Sequence, residues 1–183
     1  MQALGCSRPG LEAGSSGEAA TPVAVSAVSD DTLCVYLRPD SGSVVWAELP
    51  PGETLDILAR TARGWLGFDP GVAQAGNSGS FRLRWLAPGG AYSLQGAPET
   101  LDVVWGPSPG VAYVMTFDPL PIYFEPDSAS GVIDSLRGNA AAAIIEALPG
   151  WYRIDPVDGP YPGTIPGWVS AEAASINGPL PGR

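Results

Sequence analysis

Histidine and lysine are absent from this chain of 183 residues, and all nine of its basic residues are arginines. Without histidine there is no Ser–His–Asp or Cys–His arrangement and no imidazole ligand for a metal. Without lysine there is no Schiff base and no phosphate-loop lysine. Catalysis by a pair of carboxylates is the class that survives, and the sequence alone does not reveal whether two acids lie at the required separation.

Positive charge is also scarce, since nine arginines face 19 acidic residues and the formal net charge is −10. Such a charge repels phosphate backbones and anionic lipid headgroups. The arginines are scattered along the chain, with Arg82 and Arg84 the densest pair, so no basic patch offsets the overall sign. We therefore expect no nucleic-acid partner.

Long apolar runs are missing too, and none approaches the roughly 18 residues that a membrane-spanning helix needs. The 24 glycines and 20 prolines disfavour helix interiors. A hydrophobic share of 45% nevertheless indicates a packed core rather than a disordered chain. Together these features predict an all-β protein with short strands and many turns.

The first 22 residues hold one of the two cysteines and show no periodic pattern. Residues 3–7 resemble the cleavage box of a bacterial lipoprotein, in which a lipid on Cys6 would attach the protein to a membrane. Ala3 stands where such a box usually has Leu, and the basic and apolar parts of a signal peptide are not in the sequence. The same residues are equally consistent with an ordinary N-terminal segment in which Cys6 occurs by chance. Gly, Ser, Ala and Glu dominate residues 8–21, which predicts a flexible tether.

An internal repeat organises the rest of the chain. The pattern apolar-Tyr-apolar-charged-Pro-Asp-Ser occurs at residues 35–41 and again at 122–128. A Gly-Trp stretch at 64–70 matches one at 150–156, and a further tryptophan follows in each copy. Three landmarks in register predict two homologous units. The predicted divisions are a tether (1–22), a first unit (23–87), a linker or interdomain strands (88–110), a second unit (111–176) and a tail (177–183).

One segment gives conflicting signals. Residues 139–148 are rich in alanine and end at Pro-Gly, which favours a helix. The repeat aligns them with residues 53–62, whose threonines and branched side chains favour a strand. We predict a strand, because tertiary context overrides propensity in short segments.

The landmarks resemble those of the bacterial SH3-like (SH3b) family. They comprise an apolar-x-apolar-Arg opening at 35–38, a Pro-Gly-Glu turn at 51–53, Gly-Trp strands at 64–65 and 150–151, and a closing Gly-Trp-Val at 167–169. The resemblance covers residues 30–87 and 117–176 and implies two tandem, half-open barrels joined by a partly structured linker. It also implies a targeting or ligand-binding module of secreted or envelope proteins, and known relatives bind cell-wall peptides.

The sequence departs from the family pattern at three positions. Tyr36 and Tyr123 stand where the family usually has Asn, and Glu125 replaces the arginine in the second copy. The roles of those polar residues in relatives are therefore not transferred to this chain.

Aromatic and acidic residues near the landmarks are the candidate ligand-binding residues. A tyrosine that alternates with buried neighbours can present an apolar ring together with a hydroxyl group. The tryptophans that follow glycine fit packing roles as well as a ligand platform. An aromatic groove beside acidic residues would suit an extended peptide that carries positive charge. The candidates are Tyr36, Asp40, Trp65, Tyr123, Asp127 and Trp151.

Three functions remain open. The first is a non-catalytic, extracytoplasmic binding module, secreted or lipid-anchored to the bacterial envelope, that recognises a cell-wall or protein peptide. The second is a structural or assembly protein of the envelope that docks on a partner protein, and the third is a carboxylate-only hydrolase. We expect no catalytic residue and no cofactor. We also expect no metal, because residues 155–159 lack the alternating acids and distal Glu of a calcium loop. Cys34 lies in an apolar strand pattern and is predicted to be a small buried residue outside any disulfide.

Overall fold

The computed structural model describes residues 24–72, 79–155 and 165–182. Over these ranges the chain forms fifteen β-strands and two short 3₁₀ turns, so the all-β prediction is confirmed. No helix long and apolar enough to cross a membrane occurs in these ranges. The predicted tether with Cys6, and residues 156–159 of the calcium-like stretch, lie outside the described residues.

Eight strands make up the first half of the fold. They form two antiparallel sheets, with the orders β4-β1-β8 and β3-β2-β7-β6-β5. The segment that the repeat aligned with residues 139–148 is broken at the exposed Leu58, so it forms two strands. The strands are β1 (Val25–Ser29), β2 (Leu33–Tyr36), β3 (Val45–Leu49), β4 (Thr54–Ile57), β5 (Ala59–Arg60), β6 (Leu66–Phe68), β7 (Arg84–Leu86) and β8 (Tyr92–Gln95).

Seven strands make up the second half, and they form a single antiparallel sheet with the order β11-β10-β14-β13-β12-β9-β15. They are β9 (Tyr113–Met115), β10 (Leu120–Tyr123), β11 (Val132–Leu136), β12 (Ala141–Leu148), β13 (Trp151–Asp155), β14 (Gly167–Ser170) and β15 (Ser175–Asn177).

The two halves share one strand order. When β4 and β5 together are matched to β12, each of the six pairings between strands of the first half has its counterpart in the second. This agreement supports the internal repeat that the sequence pattern indicated. The sheets of the described residues do not close into a barrel.

The alanine-rich segment is a strand, as the repeat predicted. The first four residues of β12, 141–144, are all buried, and the strand lies between β13 and β9 in the sheet. Ala142 and Ile144 pack into the core of the second half, whereas Ala141 and Ala143 face a separate cluster. The small side chains thus let both faces of β12 be covered, and this packing outweighs their helix propensity.

Each half has its own hydrophobic core, and a third cluster lies where the halves meet. This third cluster joins Phe81 of the first half, Trp105 of the linker and Tyr113 of β9. The Tyr113 ring lies 5.4 Å from each of the other two rings, in both cases near perpendicular to it. Apolar contact therefore fixes the linker between the two halves.

The segment 88–110, predicted as a linker or interdomain strands, supplies the last strand of the first half and then the linker itself, residues 96–110. Its strand β8 pairs with β1, and a 3₁₀ turn follows at Pro98–Thr100. Further on, the Arg60 amide donates to the Asp102 carbonyl at 3.0 Å, and the Val104 amide donates to the Arg60 carbonyl at 2.8 Å. These bonds hold the second part of the linker against the end of β5.

Candidate functional site

A tyrosine–tryptophan pair marks the first half. Tyr36 is the last residue of β2, and Trp65 immediately precedes β6. The strand β7 lies between β2 and β6 and brings the two rings together. Their centroids are 5.3 Å apart and their planes are nearly perpendicular, at 89°. Trp65 is only 7% exposed, so the half-buried Tyr36 is the accessible member of this pair.

The second half repeats this pair at the equivalent positions. Tyr123 ends β10, Trp151 begins β13, and β14 lies between these strands. The ring centroids are 5.4 Å apart with an interplanar angle of 84°. Here both rings are half-buried. The sequence pointed to these four aromatic residues separately, and the structure brings them together as two matched pairs.

The hydroxyl groups of Tyr36 and Tyr123 make no hydrogen bond to any residue that the structure describes. Two other tyrosines behave differently. The hydroxyl of Tyr92 donates to the Ala87 carbonyl at 3.0 Å, and that of Tyr113 accepts from the Ser108 amide at 3.0 Å. In the two matched pairs, therefore, packing holds the ring while the hydroxyl stays available to a ligand.

The two candidate aspartates have a structural task in turns. Asp40 Oδ1 accepts from the Gly42 amide at 2.7 Å, and Asp127 Oδ1 accepts from the Ala129 amide at 2.9 Å. Each carboxylate caps the turn that follows its strand, as the Pro-Asp-Ser pattern indicated. Asp40 is half-buried and Asp127 is exposed, so the two are not equivalent in their access to solvent.

Arg38 is the residue that the sequence reasoning missed. Arg38 is 5% exposed, and its guanidinium group lies over the Tyr113 ring, 5.3 Å from the centroid. It donates through Nη1 to the carbonyls of Ser108 and Val111, the latter at 2.8 Å, and through Nη2 to Asn177 Oδ1 at 2.9 Å. All these partners lie in the linker or the second half, so one side chain joins the two halves.

Burial lowers the pKa of Arg38 from its ordinary value, while the neighbouring Tyr113 acts in the opposite direction. The second copy has an exposed glutamate, Glu125, at the matching position. In the sequence, Arg38 could have been noticed because the second copy has an acidic residue at the matching position. That difference does not reveal which groups the arginine side chain contacts.

A cavity of about 290 Å³ lies next to the Asp40 turn. Neither Tyr36 nor Trp65 is among the residues that line it. We call it the junction cavity, since its walls come from the first half and from the linker: Pro39, Asp40, Thr61, Ala62, Arg63 and residues 104–109.

Two further carboxylates, Asp69 and Asp134, are held ionised. A hydrogen bond from the Gly71 amide lowers the pKa of Asp69. Arg82 Nη2 lies 3.1 Å from Asp69 Oδ2 and forms an ion pair with it. Amide hydrogen bonds from Ile165 and Ser135 lower the pKa of Asp134. Both groups stabilise local turns or loops. Over the described ranges, no three Cys, Asp or Glu residues are grouped so that they could hold a metal ion.

Cys34 differs from its prediction in one respect. It is a free thiol, but it is half-buried on β2 rather than fully buried.

No protein-family model and no curated protein match this chain. The solved structures that are similar to it at a low level include two proteins from Trichomonas vaginalis. NlpC2 from Trichomonas vaginalis aligns over 83% of this chain and 47% of its own, with 14% identity and a TM-score of 0.29. NlpC1 from Trichomonas vaginalis aligns over 92% of this chain and 51% of its own, with 13% identity and a TM-score of 0.29. The chain thus spans about half the length of these two proteins, and similarity at this level carries no argument about function.

Proposed function

We propose that this protein is a non-catalytic binding module that recognises an extended peptide through two equivalent aromatic sites. The observation that carries the proposal is the repeated tyrosine–tryptophan pair, with centroids 5.3 Å and 5.4 Å apart in the two halves. The copies differ in charge two residues further along, where Arg38 corresponds to Glu125. The pair is nevertheless present in both.

The tryptophan and the tyrosine of each pair have different roles. The tryptophan contacts the tyrosine edge to face, which fixes the ring and is worth about 0.5–1.5 kcal/mol beyond the buried area. The tyrosine then offers a preformed apolar surface and a hydroxyl that can bond to a peptide backbone. The net charge of −10 favours a peptide that carries positive charge.

The fold and the location belong to the same proposal. The shared strand order of the two halves supports two tandem SH3-like units, and the sequence landmarks support membership of the SH3b family. On that basis the ligand is a peptide of the cell wall or of an envelope protein. The protein then works outside the cytoplasm, secreted or anchored through a lipid on Cys6.

Two sites on one chain act together when their spacing is fixed. Arg38 and the aromatic cluster around Tyr113 join the halves. A peptide polymer that engages one pair therefore meets the second at a high effective concentration, and two weak sites add up to a strong one.

The test is co-sedimentation of the full chain with isolated peptidoglycan. The Tyr36→Phe, Tyr123→Phe double variant removes only the two free hydroxyls and keeps the ring packing. The matched control is Tyr152→Phe, because Tyr152 is a half-buried tyrosine outside both pairs. The parent and the control should sediment with the wall while the double variant stays in solution. A parent that stays in solution, or a double variant that sediments normally, contradicts the proposal.

A second candidate is an assembly role, favoured by apolar side chains on the edge strands. Phe124 directly follows β10, and Val132 lies opposite Tyr123 on the edge strand β11; they are 66% and 59% exposed. The equivalent edge of the first half exposes Val44 and Val45, at 69% and 44%. This reading predicts that Phe124→Ser disrupts association with a protein partner and leaves peptidoglycan binding intact.

The carboxylate-only hydrolase has the least support. Such an enzyme needs an acid of raised pKa beside an ionised one. Among the residues that the structure describes, the pKa values of Asp69 and Asp134 are lowered, which is the opposite of what the acid of such a pair needs.

A further inference from the structure

We propose that the junction cavity binds a compact zwitterion, of the size of an amino acid or a dipeptide. The site is separate from the two tyrosine–tryptophan pairs, and the inference does not rest on them. The cavity volume of about 290 Å³ lies just below the range of about 300–1,000 Å³ for small-molecule pockets. A ligand of this class fits such a volume, whereas a folded partner does not.

The walls of the junction cavity are held in place before any ligand arrives. The linker wall is fixed at one end by the bond from the Val104 amide to the Arg60 carbonyl, at 2.8 Å. At the other end, the Ser108 carbonyl accepts from Arg38 and the Ser108 amide donates to the Tyr113 hydroxyl at 3.0 Å. A preformed site loses little binding free energy to the ordering of its own walls.

The middle of this wall is packed closely against the Asp40 turn. A Cβ atom built on Gly106 would lie 2.3 Å from Pro39 Cγ. Glycine is therefore required where the linker passes the turn. The close approach places the linker against Pro39, the residue that precedes Asp40 in the cavity wall.

The cavity presents one charge of each sign. Asp40 uses Oδ1 to accept from the Gly42 amide, and its Oδ2 has no hydrogen bond to any residue that the structure describes. Arg63, on the facing turn, is exposed and forms no ion pair with a described residue. An ammonium group and a carboxylate on one ligand would complement Asp40 and Arg63 respectively.

An aromatic wall completes the cavity. Trp105 is half-buried, and its ring is held by Phe81 and Tyr113 at centroid distances of 5.8 Å and 5.4 Å. The indole therefore gives the ligand an apolar surface that does not move away. The equivalent turn of the second half leaves Asp127 exposed, so the site belongs to the first half and the linker.

The experiment is a titration of the ¹⁵N-labelled full chain with L-alanyl-L-alanine, followed by NMR. We expect saturable shifts of the amide signals of Asp40, Arg63 and Gly106, with an affinity in the millimolar range. Acetylating the dipeptide removes its ammonium group, and amidating it removes its carboxylate. Each change should weaken binding by about tenfold or more, since a hydrogen bond to a charged group contributes about 1.5–3 kcal/mol.

Variants of the protein test the same charges. Asp40→Asn keeps an oxygen for the Gly42 amide and Arg63→Gln keeps a polar side chain, so both should fold and bind at least about tenfold more weakly. Asp127→Asn is the matched control and should bind normally. The Tyr36→Phe, Tyr123→Phe double variant should also bind normally, which separates this site from the peptide sites. Absence of saturable shifts, equal binding of the capped dipeptides, or shifts that map to the tyrosine–tryptophan pairs would each overturn the inference.

Discussion

Replacing Arg38 by alanine tests how the two halves are joined. The side chain is 5% exposed, and its guanidinium group bonds to Ser108, Val111 and Asn177. Alanine leaves these acceptors without their donor and removes the cation from the face of the Tyr113 ring. The variant should therefore destabilise the junction while the separate cores of the halves stay packed.

The magnitude follows from the bonds with ordinary geometry. The bonds to Val111 and Asn177 measure 2.8 Å and 2.9 Å, and a hydrogen bond to a charged group contributes at least about 1.5 kcal/mol net. Together they correspond to a loss of about 3 kcal/mol in the free energy of unfolding. For a chain of this length the melting temperature should fall by about 6–12 °C. Lysine at this position keeps the charge but cannot reach both sets of acceptors, so Arg38→Lys should lose about half as much.

Urea denaturation followed by far-UV circular dichroism measures the effect. Arg137→Ala is the control, because Arg137 is exposed, and it should change the free energy of unfolding by less than about 0.5 kcal/mol. If Arg38→Ala costs less than about 1 kcal/mol, the reasoning is refuted, since bonds this short to a buried cation would then contribute almost nothing.

Three further predictions concern the core, the linker and pH. Trp85 is fully buried, so Trp85→Ala should lower the free energy of unfolding by about 3–5 kcal/mol. Trp151→Ala should lower it clearly less, because Trp151 is half-buried. Equal losses of the two variants in urea denaturation would contradict this reasoning. Gly106→Ala forces a Cβ to 2.3 Å from Pro39 Cγ and should cost about 1–3 kcal/mol in the same assay, whereas an unchanged midpoint would show that the linker is free to move. Two backbone amides lower the pKa of Asp134 from its ordinary value, so its stabilisation is present above that ordinary pKa and is lost as the pH falls through the lower folded-state pKa. The urea midpoint of the parent should fall as the pH is lowered, and Asp134→Asn should make this fall smaller. An unchanged fall would show that the Asp134 carboxyl does not contribute to it.

The repeat made much of the fold predictable. Residues 141–148 have helix-forming composition, yet alignment with the first copy predicted the strand that the structure has. Local propensity could not have found it, because the strand is stabilised by β9 and β13 on its two sides. The break at Leu58 was not predicted, since the threonines and branched side chains of residues 53–62 favour one continuous strand.

The site was predictable in its residues but not in its contacts. Tyr36 and Tyr123 could be singled out because they alternate with buried residues along a strand. That each contacts a tryptophan depends on an intervening strand far along the chain, which no local pattern encodes. The role of Arg38 could not be predicted for the same reason, because its acceptors are 70 or more positions away along the chain.

The shared strand order has a consequence for folding kinetics. In each half the first strand pairs with the last, since Ser26 lies opposite Gln95 and Val114 lies opposite Ile176. Such distant pairings make folding slow, because a long loop must close before they form. During that delay β8 and β15 compete for the open edges of β1 and β9. We therefore expect strand exchange between the halves, or between two molecules, to be the misfolding route of this chain.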